Sequence, residues 1–201
     1  MVLVVGIVGM LVVALSAAAC SDPPARSTVA VIGDSITFLS AADIRAGLNA
    51  DHDHILITGR IGYTSAQLAP DVADFARHDP QVVLFELGTN DVTQRPGGTT
   101  SAAAYEQTMA GYRRDFPHAC LIATTVGSHR PAAPALNRMA TQINTWLKDT
   151  FTRVVDWDAY EWANRQAGHV LVADDFIHPN VAGQAALGVL DQAAVRACHP
   201  S

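Results

Sequence analysis

Lys148 is the only lysine in this chain of 201 residues, and Lys and Arg form no cluster anywhere along it. The formal net charge is −6 at pH 7. Neutralising a phosphate backbone takes grouped cations, so the sequence excludes a nucleic-acid partner. No Gly-x-Gly-x-x-Gly run follows the first apolar segment after the N-terminal stretch, which argues against dinucleotide binding. Internal repeats and low-complexity tracts are absent as well.

Charge is missing altogether from Met1 to Ala19, where Ser16 is the only hydroxyl. Residues 1–19 therefore read as a signal peptide or a membrane anchor. Three fates are open. The small residues Ala17 to Ala19 suit cleavage, Cys20 directly after them offers a site for a lipid, and about eighteen apolar residues just suffice to span a bilayer uncleaved. All three place the domain outside the cytoplasm, secreted or in the cell envelope. Residues 20–27, with two prolines, form a short linker, and 28–201 are expected to fold as one monomeric domain with an adequate core.

Three cysteines are an odd number for an oxidising compartment. Cys120 opens an apolar run and Cys198 closes the last helical pattern. Strand starts, and the ends of helices that follow strands, lie at one edge of a parallel sheet. A Cys120–Cys198 disulfide is expected, leaving Cys20 free for a lipid, and two buried free thiols are the alternative.

Five nearly continuous apolar runs mark strands buried on both faces: Thr28–Ile32, His54–Thr58, Gln81–Leu87, Cys120–Val126 and Arg153–Trp157. Helical spacing appears at Leu136, Met139, Ala140, Ile143, Trp146 and Leu147. It recurs less strictly at Val181, Ala185, Leu187, Val189 and Ala193. Further helices are expected near Ala41–Leu48, Ser65–Arg77 and Ala102–Arg114. The alternation predicts an α/β fold wound with helices on both faces and right-handed crossovers.

Ligands bind such sheets beyond the carboxyl ends of the strands. Three polar blocks reach that rim: Gly33-Asp34-Ser35 after the first strand, Gly88-Thr89-Asn90-Asp91 after the third, and Asp175-Phe176-Ile177-His178 before the last helix. They supply a hydroxyl, an amide donor, an imidazole and a carboxylate to orient it. A serine hydroxyl needs a base within reach to attack an acyl carbon, and an imidazole titrates near working pH and can return the proton to a leaving alcohol. Asp174 is a rival to Asp175 as the orienting acid. Asp34 and Asp91 read as acceptors that hold their loops.

With these blocks the chain resembles the SGNH hydrolase family, also called GDSL-type esterases and lipases, over nearly everything after residue 27. Ile36 stands where the family's name expects Leu. The resemblance implies a flavodoxin-like three-layer sandwich with a five-stranded parallel sheet in the order 2-1-3-4-5. It implies Ser35 as nucleophile, His178 as base and Asp175 as its partner. The oxyanion donors it implies are the backbone N–H groups of Ser35 and Gly62 and the side-chain amide of Asn90. Gly62 is expected to let the backbone approach the oxyanion with no Cβ in the way. No cofactor is expected.

Other features carry less chemistry. Asp51-His52-Asp53-His54 suggests metal ligands but enters the second strand at the opposite edge, so it is read as a solvated loop and no metal is expected. His129 and Arg130 follow the fourth strand on the catalytic rim, either exposed or touching substrate. Trp146, Trp157 and Trp162 read as packing residues, and Gly97-Gly98 as part of a substrate lid. The function expected is a serine hydrolase that cleaves a small-molecule ester or an acylated glycan or lipid. An envelope acyltransferase or deacetylase acting on sugar or lipid O-acyl groups is the alternative, and a non-catalytic binding protein the weakest.

Overall fold

The structure, a computed structural model, describes residues 28–49, 54–93 and 101–198. The expectations for residues 1–27, for most of the Asp51-His52-Asp53-His54 cluster and for the Gly97-Gly98 lid lie outside them. Five strands, β1 (Thr28–Gly33), β2 (His54–Gly59), β3 (Val82–Glu86), β4 (Cys120–Thr124) and β5 (Arg153–Val155), form one parallel sheet in the order β2-β1-β3-β4-β5. The helices are α1 (Ser35–Leu48), α2 (Ala69–Ala76), α3 (Thr89–Thr93), α4 (Ala102–Asp115), α5 (Pro134–Thr150), α6 (Trp157–Gln166) and α7 (Val181–Arg196), with a 3-10 turn at Ser65–Leu68.

Alternate residues of a strand point to opposite faces, and here both faces are buried. Val29, Val31 and Leu84 pack with Ile44 and Leu48 of α1 and Val195 of α7. Ala30, Ile32, Val83 and Phe85 pack on the other side with Val72, Met109, Tyr112, Ile143 and Leu147 of α2, α4 and α5. This is the three-layer sandwich expected. Trp157, Leu171, Val172 and Leu187 form a smaller cluster between α6 and α7, so Trp157 packs as expected. Trp146 packs at the edge of the larger core.

Four expectations are corrected. Helix α1 begins at Ser35 rather than near Ala41, because its buried face runs through the hydroxyl residues Ser35, Thr37 and Ser40 before reaching Ile44 and Leu48. A purely apolar template passes over them. Strand β4 stops at Thr124, since the Val126 N–H and C=O are both taken by the Asn144 side-chain amide at 2.8 Å. The last strand ends at Val155, and Asp156 caps a helix, α6, that the apolar runs did not reveal. In α7 the buried face is Gly183, Leu187, Gly188, Asp191 and Val195, while Val181 and Val189 of the expected stripe are exposed.

Two covalent and polar ties hold α7 to the sheet. Cys120 and Cys198 are joined as a disulfide at the amino edge of β4, with Cα atoms 5.9 Å apart. Deeper in, Glu86 at the end of β3 faces Asp191 of α7, and Thr37 donates to the Glu86 carboxylate. Neither oxygen of Asp191 meets an N–H or O–H donor among the described residues. Two ionised carboxylates could only repel each other there, so the pair is satisfied by a shared proton. Burial pushes Glu86 up to about 7, against the pull of the Thr37 hydrogen bond. Burial, reinforced by Glu86, pushes Asp191 well above the usual carboxylate range.

The disulfide closes a stretch 78 residues apart in sequence, and loop-closure entropy of that size is worth about 4 kcal/mol. Mass spectrometry should find the two cysteines linked, and the Cys120→Ala/Cys198→Ala protein should lose stability of that order in denaturant titrations. The acid pair predicts a pH effect of definite sign. A carboxyl whose folded pKa is raised holds its proton where the unfolded chain releases it. Its stabilisation is full below about pH 4 and is lost as pH rises through about 7. Calorimetric melting temperatures should therefore fall between pH 5 and pH 8 in wild type, and Asp191→Asn should flatten that fall. An unchanged slope in the variant would assign the pH dependence elsewhere.

Candidate active site

Strand β1 ends at Gly33 and the chain turns at once into α1, so Ser35 is the first helical residue and stands at the carboxyl edge of the sheet. Asp34 makes the turn possible by accepting the Ile36 N–H at 3.0 Å as the helix cap. Its carboxyl is fully buried. Burial pushes its pKa up to about 7 despite that hydrogen bond, with Glu86 and Asp91 nearby raising it further.

His178 reaches Ser35 from the far end of the sequence. Its Nε2 lies 2.9 Å from Ser35 Oγ, and its Nδ1 lies 2.6 Å from Asp175 Oδ2. The other oxygen of Asp175 accepts the backbone N–H groups of Ile177 at 2.9 Å and His178 at 3.0 Å. Burial alone would raise the Asp175 pKa, but the hydrogen bonds from the His178 ring and from these two N–H groups prevail and hold it below the ordinary value. An ionised carboxylate can only accept, so Nδ1 carries the proton and the Nε2 lone pair faces the serine hydroxyl. Asp175, and not Asp174, contacts the imidazole.

The loop that presents His178 is built tightly. Phe176 adopts φ 58°, a conformation that favours glycine. Asn180, the cap of α7, donates to the Val170 carbonyl at 2.8 Å and accepts the Gly183 N–H at 3.0 Å. A Cβ on Gly183 would lie 2.0 Å from the Leu171 carbonyl oxygen, so only glycine lets the helix dock against this loop.

Asn90 lies on α3, just beyond β3, and its Nδ2 donates to the Tyr63 carbonyl at 3.0 Å. That bond ties it to the segment of Gly62. Asp91 strengthens the tie, accepting the Ser65 N–H at 2.9 Å and the Ser65 hydroxyl at 2.8 Å. Burial raises the Asp91 pKa in spite of both bonds. Arg60 donates its N–H to the Gly33 carbonyl at 3.1 Å, which fixes the same loop beside the Ser35 turn. The backbone gives a reason of its own for glycine at 62. A Cβ there would meet nothing within 4 Å, whereas φ is +78°. The turn itself therefore favours glycine, and no protein atom crowds the position.

Two further expectations are refined. Arg130 is not an exposed loop residue but is 8% accessible, and its burial was not legible because nothing in His129-Arg130-Pro131 distinguishes it from a solvated turn. His129 stacks on Trp162 with ring centroids 4.2 Å apart, so Trp162 is a packing residue. A narrow cleft beside Ser35 and His178 is bounded by Ile36, Thr89, Trp157 and Ile177, with Arg130 in its wall.

Residues 31–186 match the GDSL-like lipase/acylhydrolase family. No curated protein matches the chain. Solved structures similar to it include a lipase/acylhydrolase from Enterococcus faecalis, 16% identical with TM-score 0.68 over 85% of this chain and 96% of that one. An acetyl xylan esterase is 19% identical with TM-score 0.68 over 83% of this chain and 99% of that one. An α/β hydrolase enzyme from the metagenome of Lake Arreo, Spain, is 21% identical with TM-score 0.66 over 87% and 97%. At such identities the structural likeness shows the fold alone. The match across residues 31–186 does more, and by it the chain belongs to the GDSL-like lipase/acylhydrolase family of SGNH hydrolases, a family of esterases and acylhydrolases.

Proposed function

We propose that the protein is a serine esterase that hydrolyses carboxylic esters through an acyl-enzyme. The observation that carries this reading is the unbroken chain of contacts from Ser35 Oγ through the His178 imidazole to the Asp175 carboxylate. As Ser35 Oγ attacks the acyl carbon, its proton passes to His178 Nε2 and the carbonyl electron pair moves onto oxygen. The resulting oxyanion is met by the backbone N–H groups of Ser35 and Gly62 and by the Asn90 amide. Collapse breaks the bond to the alcohol, which leaves with the proton from His178. Water then repeats the sequence, giving its proton to Nε2, attacking the acyl carbon and releasing the acid and free Ser35.

Asp175 serves this cycle by keeping the imidazole in the tautomer that accepts at Nε2 and by stabilising the imidazolium. The start of α1 contributes a favourable field to the oxyanion, since the amino end of a helix carries partial positive charge. The same residues in an acyltransferase would hand the acyl group to an alcohol instead of water. Ester hydrolysis with no added acceptor separates the two.

The test is kcat on one short-chain nitrophenyl ester for four variants, with circular dichroism to check folding. Ser35→Ala and His178→Ala should each lower kcat by at least about a thousandfold, because nucleophile and base act as a unit. Asn90→Ala removes one oxyanion donor and should cost about a hundred- to a thousandfold, leaving measurable turnover. Asp175→Asn should fall between wild type and His178→Ala. Folded Ser35→Ala protein with wild-type turnover would overturn the assignment, and wild-type kcat in Asn90→Ala would remove Asn90 from the oxyanion hole.

A further inference from the structure

Arg130 is a buried cation that forms no ion pair among the described residues. Its backbone is fixed by Asn137, whose side-chain oxygen accepts the Arg130 N–H at 3.1 Å and whose amide donates to the Arg130 carbonyl at 2.8 Å. The side chain turns inward, and its Nε and Nη1 have no hydrogen-bond partner among the described residues. The neighbouring acids are committed elsewhere. Glu161 accepts from Arg165 Nε at 2.8 Å, and Arg165 also donates to the His129 carbonyl at 3.1 Å. Asp158 accepts the Ser128 N–H at 2.6 Å, the Ser128 hydroxyl at 2.8 Å and the Asn144 amide at 3.3 Å. Burial draws the Arg130 pKa down, partly countered by Asp158.

A guanidinium keeps its charge even so, and a buried charge with open donors is costly until an oxyanion fills them. The position of Arg130 says which anion. It lines the cleft whose walls include Ile36, next to Ser35, and Ile177, next to His178. Whatever neutralises Arg130 therefore arrives with the substrate, a few bonds from the scissile ester. We propose that Arg130 is a specificity residue that recognises a carboxylate on the ester substrate, so that the enzyme prefers esters bearing one acid group to their neutral counterparts. An N–H of the guanidinium suits a charge-assisted hydrogen bond to a carboxylate oxygen. Arg165 does not duplicate this role, because its fork is already filled by Glu161.

The proposal rests on the esterase reading, and its test separates the two. The carboxylate sits on the acyl half in 4-nitrophenyl hydrogen succinate, with 4-nitrophenyl methyl succinate as its neutral match. It sits on the alcohol half in 4-acetoxybenzoate, with methyl 4-acetoxybenzoate as the match. Wild type should show higher kcat/KM for the acid than for its methyl ester in one of the pairs, which identifies the half that enters the cleft. Arg130→Gln should reduce that acid-to-neutral ratio by about ten- to a hundredfold, chiefly through KM, and Arg130→Lys should restore part of it. Equal kcat/KM within both pairs, or a ratio unchanged in Arg130→Gln, overturns the proposal.

Failure of all four esters would instead overturn the esterase reading. Binding then decides the question for Arg130 and needs no variant. Monomethyl succinate should raise the melting temperature of wild-type protein while dimethyl succinate does not. A monoester that fails to do so overturns the subsite even if Arg130→Gln does not fold.

Discussion

The contact between Ser35 and His178 depends on one carboxylate that serves two purposes. Asp175 uses one oxygen to close its own loop, taking the N–H groups of Ile177 and His178, and the other to hold the imidazole. Because both partners come from the next three residues, the orientation of His178 is decided locally. The rest of the protein has only to deliver that loop to Ser35. It does so through Asn180, which fastens the loop to α7, and through the glycine at 183 that lets helix and loop meet.

Helix α7 is thereby constrained along its length. His178 lies just before its start, its middle meets β3 through the Asp191–Glu86 pair, and Cys198, two residues past its end, is linked covalently to β4. The disulfide lies at the amino edge of the sheet and the triad at the carboxyl edge. The covalent tie thus restrains the helix at the edge away from Ser35 and His178. The acid pair has the opposite character, since it is favourable only while a proton is shared.

The layered sheet and the meeting of Ser35, Asp175 and His178 were legible because they rest on signals that a sequence states directly. These are continuous apolar runs, polar blocks directly after them, and a carboxylate three residues before a histidine. Helix α6 was hidden because Trp157 continues the apolar run of β5, although Asp156 is a good cap. The buried face of α7 was misjudged because glycine and an aspartate occupy it, and hydropathy ranks neither as core. Gly62 was found from its motif, and its positive φ was not legible in the sequence. Arg130 was placed on the right rim but its burial was not foreseen, since a cation enters the interior only through tertiary packing.

Charge development during the proposed reaction explains why these residues come from distant parts of the chain. Attack creates a positive imidazolium and a negative oxygen at once, and a single segment can hardly stabilise both. Asp175 answers the first from the loop before α7. The start of α1, the Gly62 turn and Asn90 answer the second from three other places, locked together by Arg60, Tyr63 and Asp91. Behind them lie the buried carboxyls of Asp34 and Glu86, whose negative charge would oppose the oxyanion if both ionised. Burial holds each pKa near 7, so the fold that buries these acids also limits the charge they place behind the oxyanion.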